Sequence, residues 1–222
     1  MKLVFYGGGD AEENRTLDSK LLSLIKNQKE PIITFIPACG HDSDEYFNDI
    51  VDQYSSLGVS RILRLNIDQP FSEFMKDSIF LSDIIHLGGG NTYYFLKHLK
   101  KSGMLQGIKD WALKGGILCG LSAGAIIMTP RIDTAGFPEF DKDDNEENIK
   151  NLNSMKLVNF DFFPHYRNSK RYDEALRKYS LGNSAPVYAC PDGVGIIVEG
   201  EEVRFVGKVA CFYEGKKHFI NK

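Results

Sequence analysis

The sequence predicts an α/β fold: a mostly parallel sheet flanked by helices in three layers, with an antiparallel extension at its C-terminal end. Three observations predict it. From the N-terminus to Thr129, short apolar runs alternate with longer amphipathic segments, the pattern of parallel strands joined by crossover helices. From Val187 onward the apolar runs are joined by tight glycine turns such as Glu199-Gly200-Glu201 and Glu214-Gly215-Lys216, too short for a crossover, so those strands must pair antiparallel. Finally, 222 residues with 42% hydrophobic content can bury one sizeable core. No Gly/Ser/Pro-rich linker divides the chain, so residues 1–222 are read as a single domain.

Each element has its own signal. Lys2 to Tyr6 is a strand stopped by Gly7-Gly8-Gly9, and Leu17, Leu21, Leu24 and Ile25 recur at helical spacing. Ile32 to Ile36 is a second strand, ended by Pro37. Asp44 can cap a helix carrying Tyr46, Phe47, Ile50, Val51 and Tyr54, which Gly58 ends. Arg61 to Leu65 and Ile84 to Leu87 are the third and fourth strands. Helices follow over about Thr92 to Lys101 and Leu105 to Leu113, and Ile117 to Leu121 is the fifth strand. Beyond a polar stretch from Pro130 to Ser154 come a strand near Lys156 to Phe162 and a helix over about Ser169 to Tyr179. Strand-like runs at 187–190, 195–198, 203–206 and 209–213 complete the chain.

Composition excludes some functions. A formal charge of −3 and a pI of about 6.0 offer no basic field for nucleic acid. No apolar run approaches the roughly 20 residues that span a bilayer, and the segment before Gly7 is too short for a signal-peptide core. A cytoplasmic protein is expected. Cys39, Cys119, Cys190 and Cys211 form no C-x-x-C pair and read as free thiols in a reducing compartment.

The chemistry-bearing motif is Gly120-Leu121-Ser122-Ala123-Gly124, a G-x-S-x-G between an apolar strand and a helix-capable segment. In that context the serine sits on a sharp turn with its hydroxyl exposed. The glycines let neighbouring chains pass without a Cβ clash. The Ala123 amide would point at a developing oxyanion. The alternative is that Ser122 merely caps the following helix. Gly88-Gly89-Gly90-Asn91 also joins a strand to a helix and should reach the same sheet edge, where a glycine amide can supply a second oxyanion donor. Neither it nor Gly7-Gly8-Gly9 completes G-x-G-x-x-G, because Tyr93 and Glu12 take the last glycine position. A serine nucleophile needs a base. His165, just past a strand, is the first choice, with His41 its competitor. His86 lies within a strand as a core residue, His98 on a lysine-rich helix, and His218 in the charged tail.

Together, Gly88-Gly89-Gly90-Asn91-Thr92, Ser122-Ala123-Gly124-Ala125 and Pro164-His165 resemble, in order and spacing, the S51 serine peptidases. That family contains the aspartyl dipeptidases (peptidase E) and, more distantly, the cyanophycinases. The resemblance implies a fold like the class I glutamine amidotransferases (flavodoxin-like) and hydrolysis of small peptides. It implies a Ser122–His165–acid site with Gly89 and Ala123 as the oxyanion hole, and Gly90 and Asn91 at the substrate. No metal or organic cofactor is expected; dimers are common in such families, and the sequence leaves the oligomeric state open, a homodimer included. Where peptidase E carries its third acid, this chain has Phe137; Asp133 is taken as the acid, with Glu139 nearby. The family's carboxylate-binding arginine falls on Arg167 or Arg171, and Arg171 is chosen. The acidic stretch Asp141 to Glu147 fails as an EF-hand, having Glu146 and Leu152 where Gly and Glu are required, and reads as a mobile, solvated loop. The rival readings are a glutamine amidotransferase relative, which needs cysteine at the elbow, an α/β-hydrolase esterase, and a catalytically silent binding protein.

Overall fold

The computed structural model describes residues 1–25, 30–38 and 43–220. Its main sheet has seven strands: β1 (Lys2–Tyr6), β2 (Ile32–Ile36), β3 (Arg61–Arg64), β4 (Ile84–Leu87), β5 (Ile117–Leu121), β8 (Gly195–Glu199) and β9 (Glu202–Val206). They lie in the order β3-β2-β4-β5-β1-β8-β9, the first five parallel and the last two antiparallel. A second sheet, in the order β11-β10-β7-β6, contains β6 (Asp161–Phe163), β7 (Val187–Ala189), β10 (Val209–Tyr213) and β11 (Lys216–Ile220). The expected antiparallel extension is therefore divided: one hairpin widens the main sheet, and the other joins a separate sheet.

Strand alternation builds the layers. On β1, Val4 and Tyr6 face α1 (Ala11–Ser23) and α2 (Ser43–Ser55), packing with Leu17, Leu21, Ile50 and Tyr54. Leu3 and Phe5 face the opposite layer of α4 (Thr92–Lys101), α5 (Met104–Leu113) and α6 (Ala123–Ile127), with Phe95, Leu99 and Ile108. A third cluster, including Phe163, Leu176 and Phe212, joins α7 (Lys170–Leu181) to the second sheet. Two elements carried too weak a pattern to be expected. One is α3 (Glu73–Ile79), seven residues capped by Ser72; the other is β11, whose charged residues mark an edge. His218, in the charged tail, accordingly lies on β11, opposite Cys211.

Among the described residues no helix is long and apolar enough to cross a membrane. Cys119 and Cys190 are buried free thiols and Cys211 is half-buried; Cys39 and the competing base His41 lie outside the described residues.

Candidate active site

Three parallel strands deliver the elbow and its surroundings to one edge of the main sheet, the carboxyl edge at which open α/β sheets bind ligands. At the end of β5, Ser122 has φ 51° and ψ −108°, and its side chain makes no cap hydrogen bond to α6. The helix-cap alternative therefore fails, and the hydroxyl is free to face outward. The flanking glycines are required by packing: a Cβ on Gly120 would lie 2.4 Å from Gly124 backbone, and one on Gly124 would lie 2.2 Å from the Leu87 carbonyl.

The imidazole comes from the second sheet. β6 and β7 run parallel, with Phe163 opposite Ala189, so the turns beyond them emerge side by side. The first turn carries His165 and the second Asp192. His165 Nε2 lies 3.0 Å from Ser122 Oγ, and His165 Nδ1 lies 2.7 Å from Asp192 Oδ1. Like the serine, His165 has φ 51°. Two central residues thus hold left-handed backbone conformations that non-glycine residues seldom adopt.

Asp133 is not beside His165. It opens a single 3-10 turn (133–136), where its carboxylate is held by the Arg131 guanidinium at 2.6 and 3.0 Å. That pair lines a different cleft with Asp161 and Tyr179. Glu139 is paired with Lys142. The position assigned to Asp133 is filled by Asp192, some sixty residues further along the chain. Its sequence signal was the Cys190-Pro191-Asp192-Gly193 turn directly after a strand, an acid delivered to a loop edge as His165 is.

Gly89 lies against the serine: a Cβ built on it would be 3.8 Å from Ser122 Cβ. Gly124 N–H donates to the Gly88 carbonyl at 3.1 Å, locking the two loops together. Among the described residues neither the Gly89 nor the Ala123 amide donates to a protein acceptor. Ser122, His165 and Asp192 open into a cleft of about 590 Å³ that also has Gly90, Thr134, Phe137, Asp143 and Arg167 on its walls.

The other expected substrate contacts divide. Gly90 lines the cleft. Asn91 caps α4, its Oδ1 accepting from Tyr94 N–H at 2.9 Å, and its Nδ2 donates to the Asp144 carbonyl. Arg171 stacks on Phe140, its guanidinium carbon 3.3 Å from the ring centroid, and does not line the cleft; Arg167 does. The acidic stretch is tied down, contrary to expectation. Asp143 accepts from Thr92 N–H at 2.7 Å, where a carboxylate complements the start of α4. Asp141 accepts from Tyr172 Oη at 2.6 Å, and Lys97 pairs with Glu147. No cluster of metal-ligating side chains occurs among the described residues.

The chain is similar to known proteins in sequence and in fold. Peptidase family S51 matches residues 3–206. The chain belongs to that family. Among its relatives, an uncharacterised peptidase of Listeria monocytogenes is 31% identical over 124 residues, 55% of this chain and 59% of that protein. A peptidase E of Actinobacillus pleuropneumoniae is 25% identical over 209 residues, covering 87% of this chain and 83% of that protein. In fold, the crystal structure of a candidate peptidase E from Listeria monocytogenes EGD-e superposes with a TM-score of 0.74 at 24% identity. It covers 92% of this chain and 97% of the other.

Proposed function

We propose that this S51 member is a serine peptidase that cleaves small peptides through an acyl-enzyme. Ser122 is the nucleophile, His165 the general base, and Asp192 the acid that orients it. The contact between Ser122 Oγ and His165 Nε2 at 3.0 Å carries the reading, since a base must reach the proton it removes. As Oγ attacks the scissile carbonyl, Nε2 takes its proton. Asp192 holds the Nδ1–H and stabilises the imidazolium that forms. The oxyanion is met by the Gly89 and Ala123 amides, each worth about 10² to 10³ in rate. Collapse passes the proton to the leaving amine, and water then releases the acyl group by the same sequence in reverse.

A cleft of about 590 Å³ suits a residue or two of peptide. Asp141, Lys142 and Asp143 on its wall all have partners, whereas the Arg167 guanidinium has no ion-pair partner among the described residues. Arg167, in place of Arg171, is the group to hold a substrate carboxylate.

Ser122→Ala should lower kcat by about 10⁶ with the fold intact, the loss typical of a deleted serine nucleophile. Turnover at the wild-type rate would refute the assignment. A fluorophosphonate that leaves wild-type Ser122 unmodified would favour a silent binding protein instead.

A further inference from the structure

Gly7-Gly8-Gly9 fails as a nucleotide loop, yet it lies at the centre of the site. Three loops hang on carbonyls from one short stretch of backbone. Tyr6 O accepts from Ser122 N–H at 3.2 Å, Gly7 O from His165 N–H at 2.6 Å, and Gly8 O from Gly193 N–H at 3.1 Å. Gly193 adjoins Asp192, so one extended strand end sets the backbone of all three triad positions.

The side chains rest on the same stretch. A Cβ added at Gly8 would lie 2.1 Å from Asp192 Oδ1 and 2.3 Å from both Nδ1 and Cε1 of His165. Oδ1 and Nδ1 are the atoms that share the His–Asp hydrogen bond. Gly8 also has φ +139°, a region that glycine alone enters freely. By contrast Gly58, with φ +87°, has nothing within 4 Å of its added Cβ.

We propose that Gly8 is a positioning residue: its bare Cα is the floor on which the His165–Asp192 pair sits, and Tyr6 to Gly8 form the template that brings the three loops into register. The inference rests on the triad reading above. A methyl group at Gly8 meets side-chain atoms, so the imidazole and carboxylate move apart. The far walls of the cleft at Thr134, Phe137 and Arg167 stay in place. Loss should therefore fall on kcat and spare KM.

The test compares Gly8→Ala, Asp192→Ala, their double variant and Gly58→Ala. Gly8→Ala should lower kcat by about 10³ to 10⁴, approaching the cost of losing the orienting acid, with KM within about threefold. The double variant should be no worse than the poorer single, because both changes remove one interaction. The downfield proton resonance of a carboxylate-bound imidazole Nδ1–H should be present in wild type and Gly58→Ala and absent in Gly8→Ala. Multiplicative losses in the double variant, or a retained resonance, would overturn the proposal. Should Gly8→Ala fail to fold, combining it with His165→Ala and Asp192→Ala must restore folding; a triple variant that stays unfolded also overturns it. If wild type hydrolyses no peptide, the function reading fails by itself, and the resonance still decides the role of Gly8.

Discussion

Two histidines flank β1, each within a network of hydroxyl and carboxylate groups, and only one opens into the cleft. His86 is 1% exposed. Its Nδ1 shares a hydrogen bond with Tyr54 Oη at 2.8 Å, the Tyr6 ring stacks on it, and Tyr6 Oη in turn reaches Asp18 at 2.9 Å. Cys119, the neighbour of His86 on β5, adds a buried thiol. His165 and Asp192 are 48% and 47% exposed at their side chains. Tyr6 serves both regions, its hydroxyl in the buried cluster and its carbonyl holding Ser122. The residue inventories are alike; the difference is access. Burial lowers His86 to about 4 and raises the Cys119 thiol and Tyr54 hydroxyl well above their ordinary values, so each is held neutral. A strand interior seals a thiol and an imidazole, whereas turns with positive φ bring a hydroxyl and an imidazole to the cleft.

The sharpest way to break this comparison is to exchange the acids. Asp192→Asn should cost about 10⁴ in kcat by favouring the wrong imidazole tautomer, whereas Asp133→Asn should leave kcat within about threefold. Steady-state kinetics on one peptide checks both. A large loss at Asp133 with little at Asp192 would reverse the assignment made from the 2.7 Å contact.

How far the sequence reveals these regions depends on whether the signal is local. The strands of the main sheet, the elbow at Ser122 and the glycine loop at Gly89 are written in consecutive residues, and all were legible. His86 was also legible as a core residue, because it sits inside an apolar strand. The partner of His165 was not. Asp192 reaches it only through the parallel pairing of β6 and β7, a contact between strands of three residues each whose pairing no short motif encodes. Asp133, nearer the expected position in sequence, is diverted by Arg131 two residues before it. Arg167 and Arg171 are equivalent in composition; what separates them is that Arg171 stacks on the ring of Phe140, whereas Arg167 lines the cleft.

The buried histidine makes a smaller, oppositely placed prediction, in stability instead of rate. Its pKa falls from about 6.5 in the unfolded chain to about 4 in the folded one. Between these values the unfolded state binds more protons, so stability is full above about pH 6.5 and declines as pH falls toward 4. For a fully buried group this amounts to about 3 kcal/mol. His86→Gln can keep a hydrogen bond to Tyr54 without titrating. Chemical denaturation at pH 7 and pH 4 should show the variant losing less stability on acidification. Asp18, raised by burial, shifts the balance in the opposite sense, and comparing variant with wild type cancels it. Equal acid sensitivity in the two proteins would mean that His86 titrates normally.

The smallest expected effect tests whether Asn91 belongs to the reactive region or only supports it. Its Oδ1 caps α4 and its Nδ2 holds the Asp144 carbonyl, so both polar ends are used within the protein. Asn91→Ala should cost about 1 kcal/mol through the lost cap, a fall of about 2 to 4 °C in Tm for a chain of this size. Asn91→Ser keeps a cap acceptor but is too short to hold Asp144. It should recover most of the Tm while leaving the acidic stretch untethered. If Asn91 acts only as support, KM across a peptide series shifts uniformly, by less than about threefold, in both variants. A KM change confined to particular peptides would mean that the amide meets the substrate, moving Asn91 into the group that Ser122 and His165 form at the cleft.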